Sequence, residues 1–214
     1  MSGRTSDEVF DAWRRALGES ASTKEAAEAW RHRRYRFAHR LGAALVGAQA
    51  DGRPSVVGHV VYGVWLEWGL LYVGQTGKAE RRLRDLAVGE SHHLANTFPP
   101  EIWHRVVVVS WPRLPEAAEL SGVFGPGDIS LGLEHRLQAW LGPLANASRR
   151  TSDGRWRSVD WVRSDSVGAR VGRRIDRLFS AVQDVWQEAS RAEASTGDGA
   201  GVYRVVRPAA LLAE

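Results

Sequence analysis

The sequence predicts an α/β chain of the α+β kind: a small antiparallel sheet flanked by helices, with N- and C-terminal helical extensions. Three observations carry this. Val56 to Gly74 is almost continuously apolar, yet it is rich in Val, Tyr and Trp and broken by Gly58, Gly63 and Gly69. With His59 and Glu67 inside it, the run suits a buried hairpin rather than a membrane helix. Arg105 to Trp111 is a further Val-rich strand. Both ends of the chain space their apolar residues as helices do.

In chain order, Ser6 caps a first helix that carries Phe10, Trp13 and Leu17, with Gly18 closing it. Thr23 caps a second helix, and Glu25 adds a favourable charge in its first turn. Asp51-Gly52-Arg53-Pro54 is a turn. Strands follow near 56–66 and 69–74, then a short Arg-rich helix from Gly77 to Leu86 and the strand at 105–111. Residues 112–130, rich in Pro and Gly, read as an irregular loop, and a helix runs from about Ser130 to Leu141, stopped by Gly142-Pro143. A polar, basic stretch at 147–163 leads to one long amphipathic helix, roughly Ser166 to Ala192. A Gly-rich linker at 196–201 and a tail strand, Val202 to Val206, complete the chain.

These elements divide the 214 residues into an N-terminal helical extension (1–54), a core (55–146) and a C-terminal segment of basic residues, long helix and tail (147–214). There are no cysteines, which excludes disulfides, thiolate metal sites, cysteine nucleophiles and iron–sulfur clusters. The start shows no signal-peptide pattern, so a cytoplasmic location without membrane insertion is expected. Lys plus Arg is 29 against 25 for Asp plus Glu, a net charge of +4 that hints at a polyanionic partner.

The chemistry-bearing stretch is Tyr62 through Arg84, YGVWLEWGLLYVGQTGKAERRLR. Tyr72-Val73-Gly74-Gln75-Thr76 follows Gly69, and Arg82 lies ten residues beyond Tyr72. Downstream, Glu134 sits in Leu133-Glu134-His135-Arg136-Leu137, with Asn146 twelve residues further on, after Pro143. This ordered set resembles the signature of the GIY-YIG nucleases, over about residues 57–146. The first half of the motif is degenerate: Val60-Val61-Tyr62 stands opposite Gly-Ile-Tyr, so Tyr62 is taken as the first tyrosine. A second Gly-Val-Tyr at 201–203 has no partner motif after it and reads as a decoy.

The resemblance implies a metal-dependent endonuclease with Tyr62, Tyr72, Arg82, Glu134 and Asn146 as catalytic residues and Glu134 as ligand to one Mg²⁺, with Mn²⁺ as a substitute. Chemically, the arginine fork holds the scissile phosphate and one carboxylate plus waters suits a hard cation. A cation beside Tyr62 would favour its phenolate as general base, with Tyr72 and Asn146 positioning water or phosphate. Where many family members carry a histidine one turn after the arginine, this chain has Leu86. His93, or His92 beside it, either supplies the imidazole or lies on the surface. Double-stranded DNA is the expected partner. Gly74 (by close backbone approach), Thr76, Lys78, Arg81 and Arg84 would contact it near the site. Arg33, Arg34 and Arg36 on the second helix, and Arg155 and Arg157 in the basic stretch, would supply further phosphate contacts. With its helical extensions the chain looks like the restriction enzymes of that family, which implies a sequence-specific enzyme, with a homodimer on symmetric sites as one arrangement. A structure-specific repair nuclease and a non-cleaving nucleic-acid-binding module are the alternatives.

Overall fold

The computed structural model describes residues 6–48, 52–89, 94–146, 165–193, 195–198 and 200–212. Its centre is a five-stranded antiparallel sheet built from β1 (Val60–Leu66), β2 (Gly69–Thr76), β3 (Arg105–Val109), β4 (Thr196–Gly197) and β5 (Tyr203–Val206), in the order β2-β1-β3-β5-β4. The α+β expectation therefore holds, and the apolar run forms a hairpin, though its strands span Val60–Leu66 and Gly69–Thr76 rather than 56–66 and 69–74. No described helix is long and apolar enough to cross a membrane.

Strand side chains alternate between two faces, and each face has its own core. Val60, Tyr62 and Val64 of β1 and Val106 and Val108 of β3 face α2 (Lys24–Val46) and α3 (Ala79–Leu86), meeting Phe37, Leu41, Leu45, Leu83 and Leu86. Val61, Val107 and Val109 face the other way, against α6 (Pro126–Leu141) and α8 (Asp176–Arg191), meeting Leu133, Leu137, Val182 and Trp186. The terminal segments build this core rather than surround it. Arg204 of β5 is buried and donates to the carbonyls of Ala44 (3.0 Å), Gly47 (2.6 Å) and Pro54 (2.7 Å), so a cation satisfies the C-terminal end of α2.

The hairpin has a bulge. Leu66 pairs with Gly69 and Trp65 with Leu70, but Val64 pairs with Tyr72, which leaves Leu71 without a cross-strand partner. Leu71 is fully buried on the same face as Tyr72. A two-residue turn with no insertion would place Tyr72 opposite Gly63, on the face away from Tyr62, because one step of register reverses every side chain. The segment after α6 braces this outer edge, Leu144 N donating to Leu70 O (3.2 Å) and Ala145 N to Leu71 O (2.7 Å).

Other expectations need correction. Thr23 caps α2 as expected, its Oγ1 accepting from Ala26 N at 3.1 Å, but Gly18 lies inside α1 (Ser6–Ser20) rather than closing it. Residues 112–130 are not an irregular loop. They hold α5 (Pro115–Ala118), and α6 already begins at Pro126, where a missing N–H costs nothing because the first helical N–H groups have no partner anyway. α4 (Leu94–Thr97) is a single turn. The long C-terminal helix is two, α7 (Val167–Gly172) and α8, broken at Arg173–Ile175. Close approach to α6 accounts for the break. A side chain at Gly168 would begin 2.8 Å from Leu131 O and one at Gly132 3.1 Å from Gly172 N, so α7 lies backbone to backbone on α6 before α8 turns onto the sheet.

Candidate active site

Tyr62 and Tyr72 lie on one face of the hairpin with ring centroids 6.1 Å apart and planes tilted by 37°. Gly74, opposite Tyr62 in the ladder, makes room for them. A methyl group there would sit 2.6 Å from Tyr72 Cε1 and 2.8 Å from Tyr62 Oη. The expected backbone approach of Gly74 to a ligand is corrected accordingly: the residue is buried beneath two rings.

Arg82 from α3 and Glu134 from α6 both act on the tyrosine pair, so four residues from four elements share one site. Tyr62 is fully buried, and among the described residues its hydroxyl has no hydrogen-bond partner of good geometry, although Arg82 and Tyr72 are close enough to influence its ionisation. Arg82 does favour the Tyr62 phenolate, as expected of a neighbouring cation, but it is outweighed. Burial, the largest influence, raises the Tyr62 pKa, and Glu134 adds to it, while Arg82 only opposes them. Tyr72 is raised as well, by burial first and then by Tyr62 and Glu134. Both phenols are held protonated.

Asn146 also does something other than expected. It is buried, its Oδ1 accepts from Val73 N at 3.1 Å, and its Nδ2 donates to Val73 O at 2.8 Å. Gln138 Nε2 donates to the same carbonyl at 3.2 Å. Val73 belongs to the edge strand, where backbone groups lack a strand partner. Asn146 thus positions the strand that carries Tyr72 instead of reaching for water or phosphate. The sequence reading missed Gln138, whose placement one turn beyond Glu134 was its only signal.

Arg82 has a second role. With His59, Thr76, Lys78 and Arg81 it lines a cleft of about 560 Å³ at the end of the hairpin. Thr76 Oγ1 accepts from Lys78 N at 3.0 Å, which shapes the entry into α3. Arg84 is exposed but does not line this cleft. Leu86 is fully buried under α3 in the same core cluster as Tyr62, so it brings no imidazole to this side of the sheet. Of the more distant cations, Arg33 and Arg36 are exposed on α2. Arg34 is engaged: it donates to Ala95 O and lies over the Trp30 ring, 5.3 Å from its centroid. His92, His93, Arg155 and Arg157 lie outside the described residues. The decoy at 201–203 stands apart, since Tyr203 on β5 donates to Glu188 Oε1 at 2.9 Å.

No protein-family model, curated protein or solved structure matches the chain. The functional reading therefore rests on the sequence motif and this geometry.

Proposed function

We infer that the protein is a metal-dependent endonuclease of the GIY-YIG type that hydrolyses phosphodiester bonds in double-stranded DNA, acting as a restriction-type enzyme. The observation that supports it most is the convergence of Tyr62, Tyr72, Arg82 and Glu134 on one buried hydroxyl beside a basic cleft. Arg82 belongs to both the tyrosine pair and the cleft, so its guanidinium fork can hold a phosphate against the tyrosines. A single carboxylate beside the pair is the kind of oxygen donor a hard divalent ion takes. Glu134 is the carboxylate that acts on the pair, and no group of three or more His, Asp or Glu occurs among the described residues. Glu134 would hold Mg²⁺ with water completing the shell, as that ion prefers, and Mg²⁺ bound there would neutralise charge on the phosphate. Tyr62 and Tyr72, held protonated, serve as hydrogen-bonding groups toward water or phosphate.

The complete burial of Tyr62 favours a second reading, a non-cleaving module that binds DNA on the same fold. Incubating supercoiled plasmid and long phage DNA with Mg²⁺, Mn²⁺ or EDTA decides between them. Discrete metal-dependent fragments, lost in Tyr62→Phe, Arg82→Ala and Glu134→Ala, are the expected result. A smear, or cutting confined to branched oligonucleotides, replaces the restriction reading with a structure-specific nuclease. Intact DNA under all conditions, with binding retained, overturns the enzyme.

A further inference from the structure

The site as described holds its two phenols protonated, so hydrolysis at neutral pH needs another group to receive a proton from water. Imidazole is the side chain suited to that task. The chain has seven histidines. Among the described residues, only His59 lines the cleft that Arg82 shares. His104 is bonded to Arg207 at 3.0 Å, His39 lies against Tyr35, and His135 lines a different groove between α6 and α8.

His59 is held in a fixed pose. It follows Gly58, whose φ of 73° is a left-handed conformation that glycine adopts without strain. Gly58 is tied to the start of α3, its N–H donating to Glu80 Oε2 at 3.1 Å and its carbonyl accepting from Ala79 N at 3.0 Å. His59 Nδ1 shares a hydrogen bond of 3.1 Å with Ser130 Oγ, and the ring meets Trp111 edge-on at 6.0 Å between centroids. Trp111 Nε1 donates to the same Ser130 oxygen at 3.2 Å. Ser130 Oγ thus joins the two rings, accepting from Trp111 and either accepting from or donating to His59 Nδ1 according to the imidazole tautomer. In the tautomer in which Nδ1 donates to Ser130, Nε2 carries the lone pair that can accept a proton. The ring lies over Gly77, where a side chain would begin 2.8 Å from Cε1 and 3.2 Å from Nε2. Gly77 also lines the cleft, so glycine there keeps the Nε2 edge open to it. Ser130 is fully buried one helical turn before Glu134, so the helix that supplies the carboxylate also orients the imidazole.

We propose that His59 is a further catalytic residue, the proton acceptor of this cleft, oriented by Ser130 and Trp111. The proposal rests on the nuclease reading. As the water oxygen bonds to phosphorus and the bond from phosphorus to the departing sugar oxygen breaks, His59 Nε2 takes the water proton, and the departing oxygen takes one from solvent. Lys78, Arg81, Arg82 and Asp85 are the charged groups facing His59 across the cleft from α3 and its start.

The test compares cleavage of one plasmid by wild type, His59→Asn and His59→Gln, with binding of a short duplex followed by fluorescence anisotropy in EDTA. Asparagine can keep the Ser130 hydrogen bond while lacking Nε2, so His59→Asn should fold, bind the duplex and cleave about 100-fold more slowly. Added imidazole should restore part of the rate to His59→Ala. Wild-type cleavage rates in both His59→Asn and His59→Gln would overturn the role of His59 and leave the nuclease reading standing. A wild type that cuts no DNA overturns both. Thermal melting of each variant separates lost chemistry from lost fold.

Discussion

The two faces of the β1–β2 hairpin carry the same device with different outcomes. On one, Gly74 clears space for Tyr62 and Tyr72; on the other, Gly63 clears space for Trp65 and Trp186, whose centroids lie 5.5 Å apart. Each pair includes a buried polar atom without a hydrogen-bond partner, Tyr62 Oη and Trp186 Nε1. Burial and an unpartnered donor therefore do not by themselves mark a site. Charge does: Arg82 and Glu134 act on the tyrosine pair, whereas the tryptophans sit among Val61, Val107, Val182 and other apolar side chains.

The comparison can be broken most forcefully at the bulge. Deleting Leu71 removes a fully buried leucine and the bulge while Val64 still pairs with Tyr72, so a stability loss of about 4 kcal/mol or more is expected with the two tyrosines still on one face. Urea unfolding measures the loss, and contacts between the two tyrosine rings should persist in NMR spectra of the folded variant. Trp186→Ala comes next, at about 3–5 kcal/mol in the same assay, because the large cavity it leaves cannot collapse fully. Its mirror, Tyr62→Phe, should cost at most about 1 kcal/mol, since it deletes a hydroxyl that bonds to nothing of good geometry, while cleavage is lost.

Gly63→Ala and Gly74→Ala sharpen the contrast. Each forces rings apart and should cost about 1–3 kcal/mol. Both lower the melting temperature, but only Gly74→Ala should also reduce cleavage out of proportion to the unfolded fraction.

The smallest effect concerns pH. Tyr62 and Tyr72 have raised pKa values in the folded state. They stay protonated in the fold but ionise on unfolding above about pH 10, the ordinary phenol value, so their contribution to stability is complete below that pH and lost above it. On the tryptophan face Tyr203 is pushed up to about 12, by burial and then by its hydrogen bond to Glu188. Tyrosinate absorbance should therefore rise sharply with alkaline unfolding, and Tyr62→Phe should shrink that step without altering the signal below pH 10. A gradual Tyr62 signal in the native protein near pH 10 would mean that its hydroxyl is open to solvent.

Much of this was legible in the residues themselves. Val-rich runs marked β1 and β3 and Thr23 marked the start of α2, because these signals are local, while Tyr62, Tyr72, Arg82 and Glu134 were selected by the resemblance to the GIY-YIG signature. Pro126 misled for a local reason too: the same residue that breaks a helix interior begins a helix well. Other features depend on contacts distant in sequence. Nothing local says that Gly132 and Gly172 bring α6 and α7 together and so divide the C-terminal helix, or that Asn146 closes on Val73 across 73 residues. The same holds for His59, which the sequence shows only as a polar interruption in an apolar run, until Ser130 and Trp111 orient it.

The sequence by itself determined which residue types exist and which elements carry them. Whether the two tyrosines meet was decided by tertiary structure alone. Tyr62 and Tyr72 fall on opposite faces of an uninterrupted hairpin with a two-residue turn, and one unpaired residue, Leu71, reverses that. The inserted residue is stable because its side chain is buried in the core and the chain after α6 bonds to its carbonyl at 2.7 Å. A strand's periodicity is local, but its register is set by everything packed around it.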